Sequence, residues 1–339
     1  MSTQRFILFS LVILLVALVG APAFADDEQV LTIYSGRSES LIGPILAQFS
    51  EETGVAVEIL YGGTSAVANQ ILTEGDNSPA DVFIAQDGGA LGALAAADML
   101  QRLPDATLNR VVDAAFVSPD GLWVGLSGRA RVLVYNPEML NEMGLELPES
   151  ILELTDETWR GLVGWAPTNA SFVASVTAMR VLLGDCDAED WLAAMIANDV
   201  QAYPKNTPIV QAVINGEIAV GLVNHYYLYR FLAEDPTITA TLHFFPGSDV
   251  GSLINVAGAA ILQSSDQQDL ALQLVDYLLS DAAQAYFAET TYEYPLVETV
   301  EPSVDLPALV DIEAPEIDLS DLDDLQGTLE MIENSGALD

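Results

Sequence analysis

The stretch Val30-Leu31-Thr32-Ile33-Tyr34-Ser35-Gly36-Arg37-Ser38 opens the part of the chain whose reading decides the fold. Val30 to Tyr34 is a compact strand, Ser35 to Ser38 is a turn, and apolar residues from Leu41 to Phe49 then recur at helical spacing. The same order returns twice. Val55 to Tyr61 alternates as a strand, and Gly62 to Ser65 leads into a helix through Leu72. Asp81 to Ala85 is a third strand, Gln86 to Gly89 its loop, and Ala90 to Leu100 an alanine-rich helix. Three strand-loop-helix units predict an α/β fold with a parallel, doubly wound sheet, whose loops gather at the carboxyl ends of the strands.

Beyond this unit the pattern changes. Two apolar stretches between Trp123 and Tyr135 flank Ser127 to Arg131, as expected where the chain leaves one lobe and enters another. Val163 to Ala166 then reads as a strand, Pro167 to Ser171 as a polar loop and Phe172 to Leu183 as a helix. Tyr203 to Thr207 is a turn, Ile209 to Asn215 a helix, and Ile218 to Val223 a strand. Leu253 to Leu262 returns to the first lobe, Asp266 to Leu279 and Asp281 to Glu289 are amphipathic helices, and Leu325 to Glu333 is the last helix. The expected division is residues 26–130 with 256–305 as a discontinuous lobe 1, and residues 131–255 with 306–339 as lobe 2 and its tail. Residues 1–25 stand apart. Arg5, the apolar run from Phe6 to Gly20 and Ala23-Phe24-Ala25 are the three parts of a secretory signal peptide. With no cysteine after that run, the expectation is a periplasmic protein without a lipid anchor.

The 339 residues hold 50 acids and 10 bases. Removing Arg5 with the leader leaves nine bases and a balance of −41, which makes nucleic acid and anionic membranes improbable partners. Four of the nine cations, Arg37, Arg129, Arg131 and Lys205, lie in short polar motifs. Cations kept beside Gly, Ser and Asn suggest a bound anion, with structural ion pairs as the competing explanation. The single thiol, Cys186, has no partner for a disulfide and reads as buried or idle.

The motifs of enzymes are missing. There is no histidine pair at metal-ligand spacing, no Cys-x-x-Cys, no nucleophile elbow and no phosphate-binding loop with a lysine. A carboxylate-dependent hydrolase can hide only among the many acids. Tyr226 and Tyr227 are more informative. They follow the Ile218 to Val223 strand, Asn224 suits a helix N-cap, and Leu228, Phe231 and Leu232 suit a short amphipathic helix. The phenols would then sit at an exposed helix N-terminus, either packing or binding a hard trivalent cation, which is what ionising a phenol near neutral pH requires. His225 reads as a supporting residue beside them.

Several ordered motifs then coincide: residues 31–37, 78–83, 126–131, 165–172, 203–206, 216–218, 224–227 and 293–296. In them the chain resembles, over essentially its whole mature length, the ferric-iron-binding periplasmic proteins of iron ABC importers. The resemblance implies a type II periplasmic-binding-protein fold, two lobes with a hinge between them, acting as a monomer that passes Fe(III) to a membrane permease. It implies Tyr226 and Tyr227 as Fe(III) ligands and a synergistic carbonate or phosphate held at Asn169, Ala170, Ser171, Asn206 and Asn224. Apart from the resemblance, Arg37 and Arg129 are expected to balance the anion's charge. Where relatives carry a first-lobe histidine and glutamate this chain has Ser38 and Gln86, and the third tyrosine of another branch is missing from Thr168 to Ser171. Tyr34 or Tyr61 would be further first-lobe contributors. The other reading is a metal-free receptor for an oxyanion or organophosphate.

Overall fold

A computed structural model describes residues 30–338; the expected signal peptide lies outside the described residues. Ten strands follow in chain order: β1 (Val30–Ser35), β2 (Ala56–Tyr61), β3 (Val82–Ala85), β4 (Val124–Tyr135), β5 (Val163–Trp165), β6 (Gln201–Ala202), β7 (Val220–Asn224), β8 (Thr241–His243), β9 (Ile254–Ile261) and β10 (Tyr294–Pro295). The α-helices are α1 (Glu39–Thr53), α2 (Thr64–Glu74), α3 (Gly88–Ala96), α4 (Asp105–Leu108), α5 (Pro137–Met143), α6 (Ala170–Leu183), α7 (Asp185–Ala197), α8 (Asn206–Ile214), α9 (Tyr226–Glu234), α10 (Gln268–Leu278), α11 (Asp281–Tyr286) and α12 (Leu325–Ser335). Cys186, expected to be buried or idle, is exposed on α7.

The three N-terminal units fold as their periodicity predicts: β2, β1 and β3 are parallel neighbours. The stretch from Trp123 to Tyr135 becomes one long strand. β4 pairs with β9 from Val124 to Ala130 and with β7 from Arg131 to Tyr135, so a single strand changes lobes at one peptide unit. The return stretch is β9, antiparallel to both β3 and β4. In the second lobe β5 runs parallel to β7 and to β6. β3, β7 and β9 are buried on both faces, which is why they read as nearly continuous apolar runs.

The tail is not confined to the second lobe as expected. A 3-10 turn, Leu319–Leu322, seats its two leucines in the core against α3 of the first lobe. Small residues permit the approach: a β-carbon on Gly89 would collide with the Leu322 carbonyl oxygen, and one on Gly92 with that of Ser320. The Trp123 indole also donates to Ser320 Oγ at 3.3 Å. α12 then packs on α6 of the second lobe, where Thr177 and Thr328 share a buried hydroxyl hydrogen bond of 2.9 Å. Arg180 reaches Asp324 Oδ2 at 2.9 Å and Thr328 Oγ1 at 2.8 Å. Residues 319–335 therefore strap α3 to α6.

Gly89→Val overpacks the α3 contact, where backbone rather than a flexible side chain must yield. It is expected to lower stability by about 1–3 kcal/mol, read as a reduced urea midpoint; an unchanged midpoint would show that the strap does not bear on α3.

Candidate metal and anion site

The tyrosine pair begins α9, but Asn224 is not its cap. Asn224 ends β7, and the cap position belongs to His225, which has helical backbone angles and no side-chain cap bond. The Asn224 amide is used over long range instead, accepting from Arg131 Nη1 at 3.2 Å and donating to Ser171 Oγ at 3.0 Å. Nor is the pair simply exposed. Tyr226 is buried and Tyr227 half-buried, with ring centroids 4.4 Å apart and planes 31° from parallel. Burial pushes the Tyr226 phenol far above its usual pKa, Tyr227 adds to this, and Arg129 opposes it. The Arg230 guanidinium lies over both rings, 5.2 Å from the Tyr226 centroid and 5.7 Å from that of Tyr227.

His225 is buried and neutral. Burial lowers its pKa to about 4 against the pull of its bonds to Tyr292 and Ala130. Its Nδ1 accepts the Ala130 N–H at 3.1 Å and its Nε2 lies 2.8 Å from the Tyr292 carbonyl oxygen.

The loop expected to hold an anion leads into α6. Asn169 caps this helix by accepting the Ser171 N–H at 3.0 Å, and Asn206 at the start of α8 donates to the same oxygen at 3.4 Å. This leaves Asn206 Oδ1 buried without a partner. Ala170 lines a separate void of about 150 Å³ between the α2 N-terminus and α12. Ser171 and Asn224 face a cavity of about 10 Å³ with Gln86, Asp87, Arg129, Arg131, Leu253 and Asn255, contributed by both lobes and by the crossing strands. Its walls hold unsatisfied polar groups: Gln86 Oε1, Asp87 Oδ2, and Nε and Nη1 of Arg129. Burial raises the Asp87 carboxyl, against the Ala90 N–H and Arg129, and lowers Arg131 to about 10. Buried groups of this kind are costly unless something completes them.

Of the first-lobe candidates, only Gln86 faces this cavity. Tyr34 points elsewhere, donating to Glu74 Oε1 at 3.2 Å, and burial followed by Glu74 raises its pKa. Tyr61 lines a surface groove with Glu39 and Pro44, and Ser38 is exposed ahead of α1. Arg37 is a correction to the anion reading. Its guanidinium is fully buried and committed to Glu293 at 2.7 Å and to Ser127 Oγ at 2.9 Å. Burial alone would raise the Glu293 carboxyl, but Arg37 and Arg129 hold it below the usual range.

Sequence reasoning passed over Asp87, Asn255 and Arg230, and counted Arg131 among the cations that suggest an anion without placing it in the site. A usable signal lay in the charge count. Five of the nine mature cations, Arg37, Arg102, Arg110, Arg160 and Arg180, form salt bridges. Among the described residues Arg129, Arg131, Arg230 and Lys205 form none. The three arginines flank the tyrosine pair, and Lys205 precedes Asn206.

Two α/β lobes on shared crossing strands, closing on a small polar cavity, define the architecture of a solute receptor. Residues 34–285 match the family model of bacterial extracellular solute-binding proteins, and the chain belongs to that family. It is 34% identical over 318 residues to the major ferric iron-binding protein of Neisseria meningitidis, covering 93% of this chain and 94% of that one. Iron-bound HitA from Pseudomonas aeruginosa superposes with a TM-score of 0.83 at 34% identity, covering 91% of this chain and 99% of HitA. A Trichodesmium protein, IdiA or FutA, solved with iron and citrate, gives 0.73 at 26% identity, with 91% and 99% covered.

Arg37→Met strands the Glu293 carboxylate in the core and is expected to cost about 3–5 kcal/mol of stability. Chemical denaturation without added ligand measures it; a loss below about 1 kcal/mol would remove Arg37 from this structural role.

Proposed function

We propose that this protein captures Fe(III) between its lobes on the phenolate oxygens of Tyr226 and Tyr227, together with a synergistic oxyanion, and delivers the iron to the permease of an ABC importer. The observation that carries this reading is the adjacent phenol pair at the head of α9, flanked by Arg129, Arg131 and Arg230 in a chain otherwise crowded with acid. Burial keeps Tyr226 protonated in the absence of metal, so a trivalent ion must displace its proton. Iron uptake then releases protons, and affinity falls as pH falls.

The oxyanion, carbonate or phosphate, takes the polar groups at Asn169, Ala170, Ser171, Asn206 and Asn224, with Arg129 and Arg131 supplying positive charge. Asn206 Oδ1 and the free Arg129 nitrogens support this, being buried groups with unused bonding capacity. On the first lobe, Gln86 is the candidate retained, with Asp87 beside it. Residues 1–25 act as the export signal of a periplasmic protein without a lipid anchor. The role is binding and transfer rather than catalysis.

Protein purified from iron-containing medium with bicarbonate or phosphate is expected to be coloured by a phenolate-to-iron charge-transfer band, absent in Tyr226→Phe, with iron near one per chain by metal analysis. A colourless, iron-free protein under these conditions counts against the reading.

A further inference from the structure

His225 occupies a junction of three parts of the molecule. Its backbone N–H donates to the Ala130 carbonyl oxygen at 3.1 Å, while its Nδ1 accepts the Ala130 N–H at the same distance. Ala130 is the last β4 residue paired with β9, and Arg131 the first paired with β7, so this two-point contact grips the strand where it changes lobes. Because Nδ1 accepts a backbone N–H, the ring proton of the neutral imidazole is on Nε2, which donates it to the Tyr292 carbonyl oxygen at 2.8 Å.

Tyr292 is held from the first-lobe side. It has a left-handed backbone with φ of 59° at the end of the π-helical turn Phe287–Thr291. It is followed by Glu293, which is paired with Arg37, and by Tyr294, which is paired with Gly128 in β4. The His225 ring also meets Tyr294, with centroids 4.9 Å apart, and stands edge-on to Tyr226 at 5.8 Å. The next residue in the chain is Tyr226. α9 has no side-chain cap, so these contacts of His225 are what fasten its first turn to the crossing strand.

We propose that His225 is a positioning residue: a neutral pin that ties the start of the tyrosine helix to the lobe crossing and, through the Tyr292 carbonyl, to the first lobe, so that lobe movement and the placement of Tyr226 are one event. The proposal rests on Tyr226 and Tyr227 being ferric ligands. A histidine serving only as a satisfied core residue would affect stability and leave bound iron undisturbed. The bond to Tyr292 joins the start of α9 to the first lobe, a turn before the Tyr229 hydroxyl donates to the Asp305 carbonyl oxygen at 2.6 Å, and it is the one the test isolates.

Two amide variants separate the ring's two bonds. His225→Asn can still accept the Ala130 N–H but falls short of Tyr292. His225→Gln carries an amide nitrogen to about the place of Nε2 and keeps the Tyr292 bond. Both are loaded with Fe(III) and phosphate as the full-length mature chain, and three quantities are read: the charge-transfer band, the rate of iron transfer to excess EDTA, and the melting temperature. The expected result for His225→Asn is a shifted band and transfer at least about tenfold faster than wild type, with His225→Gln within about threefold of wild type. Transfer from His225→Asn at the wild-type rate with an unshifted band overturns the proposal, as does transfer from His225→Gln as fast as that expected of His225→Asn, so the glutamine variant suffices if the asparagine variant does not fold. A wild-type protein that takes up no iron fails the ferric reading itself, which the first measurement shows before any variant is compared.

Discussion

Both lobes depend on the same twelve residues of β4. The part from Val124 to Ala130 completes the first lobe's sheet against β9 and the part from Arg131 to Tyr135 completes the second lobe's sheet against β7, so the exchange of partners occurs between Ala130 and Arg131. A strand cannot be cut at that point without leaving backbone donors and acceptors of both sheets unpaired. The hinge of the receptor is thus also part of its two cores. The residues at the exchange point are those of the site: Arg129 and Arg131 from β4, Asn224 opposite Arg131, and His225 on Ala130. Their positions follow from strand register, which a one-residue slip would invert for every side chain.

Around this strand the electrostatics are divided. Arg37 spends its charge on Glu293 within the core, where the buried ion pair with its added Ser127 bonds fixes how the segment before β10 meets the first lobe. Buried pairs contribute little net stability but are costly to break on one side. Arg129 keeps two nitrogens unbonded, and Arg230 rests on tyrosine faces instead of on one of the plentiful carboxylates. In a chain of 50 acids, arginines left without acidic partners are positioned by the fold rather than by the nearest opposite charge.

The alternation from β1 to α3 was legible in the sequence because strand and helix periods differ, and the tyrosine pair was placed at the right strand-to-helix step. What periodicity could not supply was the use of each polar side chain. Asn224 looks like a cap locally, but its partners are Arg131 and Ser171, 93 and 53 residues away. Arg37 and Arg129 each follow a glycine in a polar motif and read alike. Only Glu293, 256 residues from Arg37, distinguishes them. Tyr34 and Tyr61 are tyrosines at strand ends like many ligands, yet one is bonded to Glu74 and the other lies in a groove on the surface. Local pattern assigns elements, whereas long-range pairing assigns roles.

The strap has a bearing on how freely the lobes can part. Residues 319–335 come after everything they cover in chain order, and the second lobe is inserted between two parts of the first. The glycine-bearing face of α3, and Thr177 and Arg180 on α6, find their partners in residues 319–335. Apart from this segment the lobes are joined by β4 and β9 and by the bonds of His225 to Tyr292 and of Tyr229 to Asp305. Parting the lobes must therefore bend or shift residues 319–335 along with the crossing strands, so this segment limits an opening that the hinge strands alone would leave free.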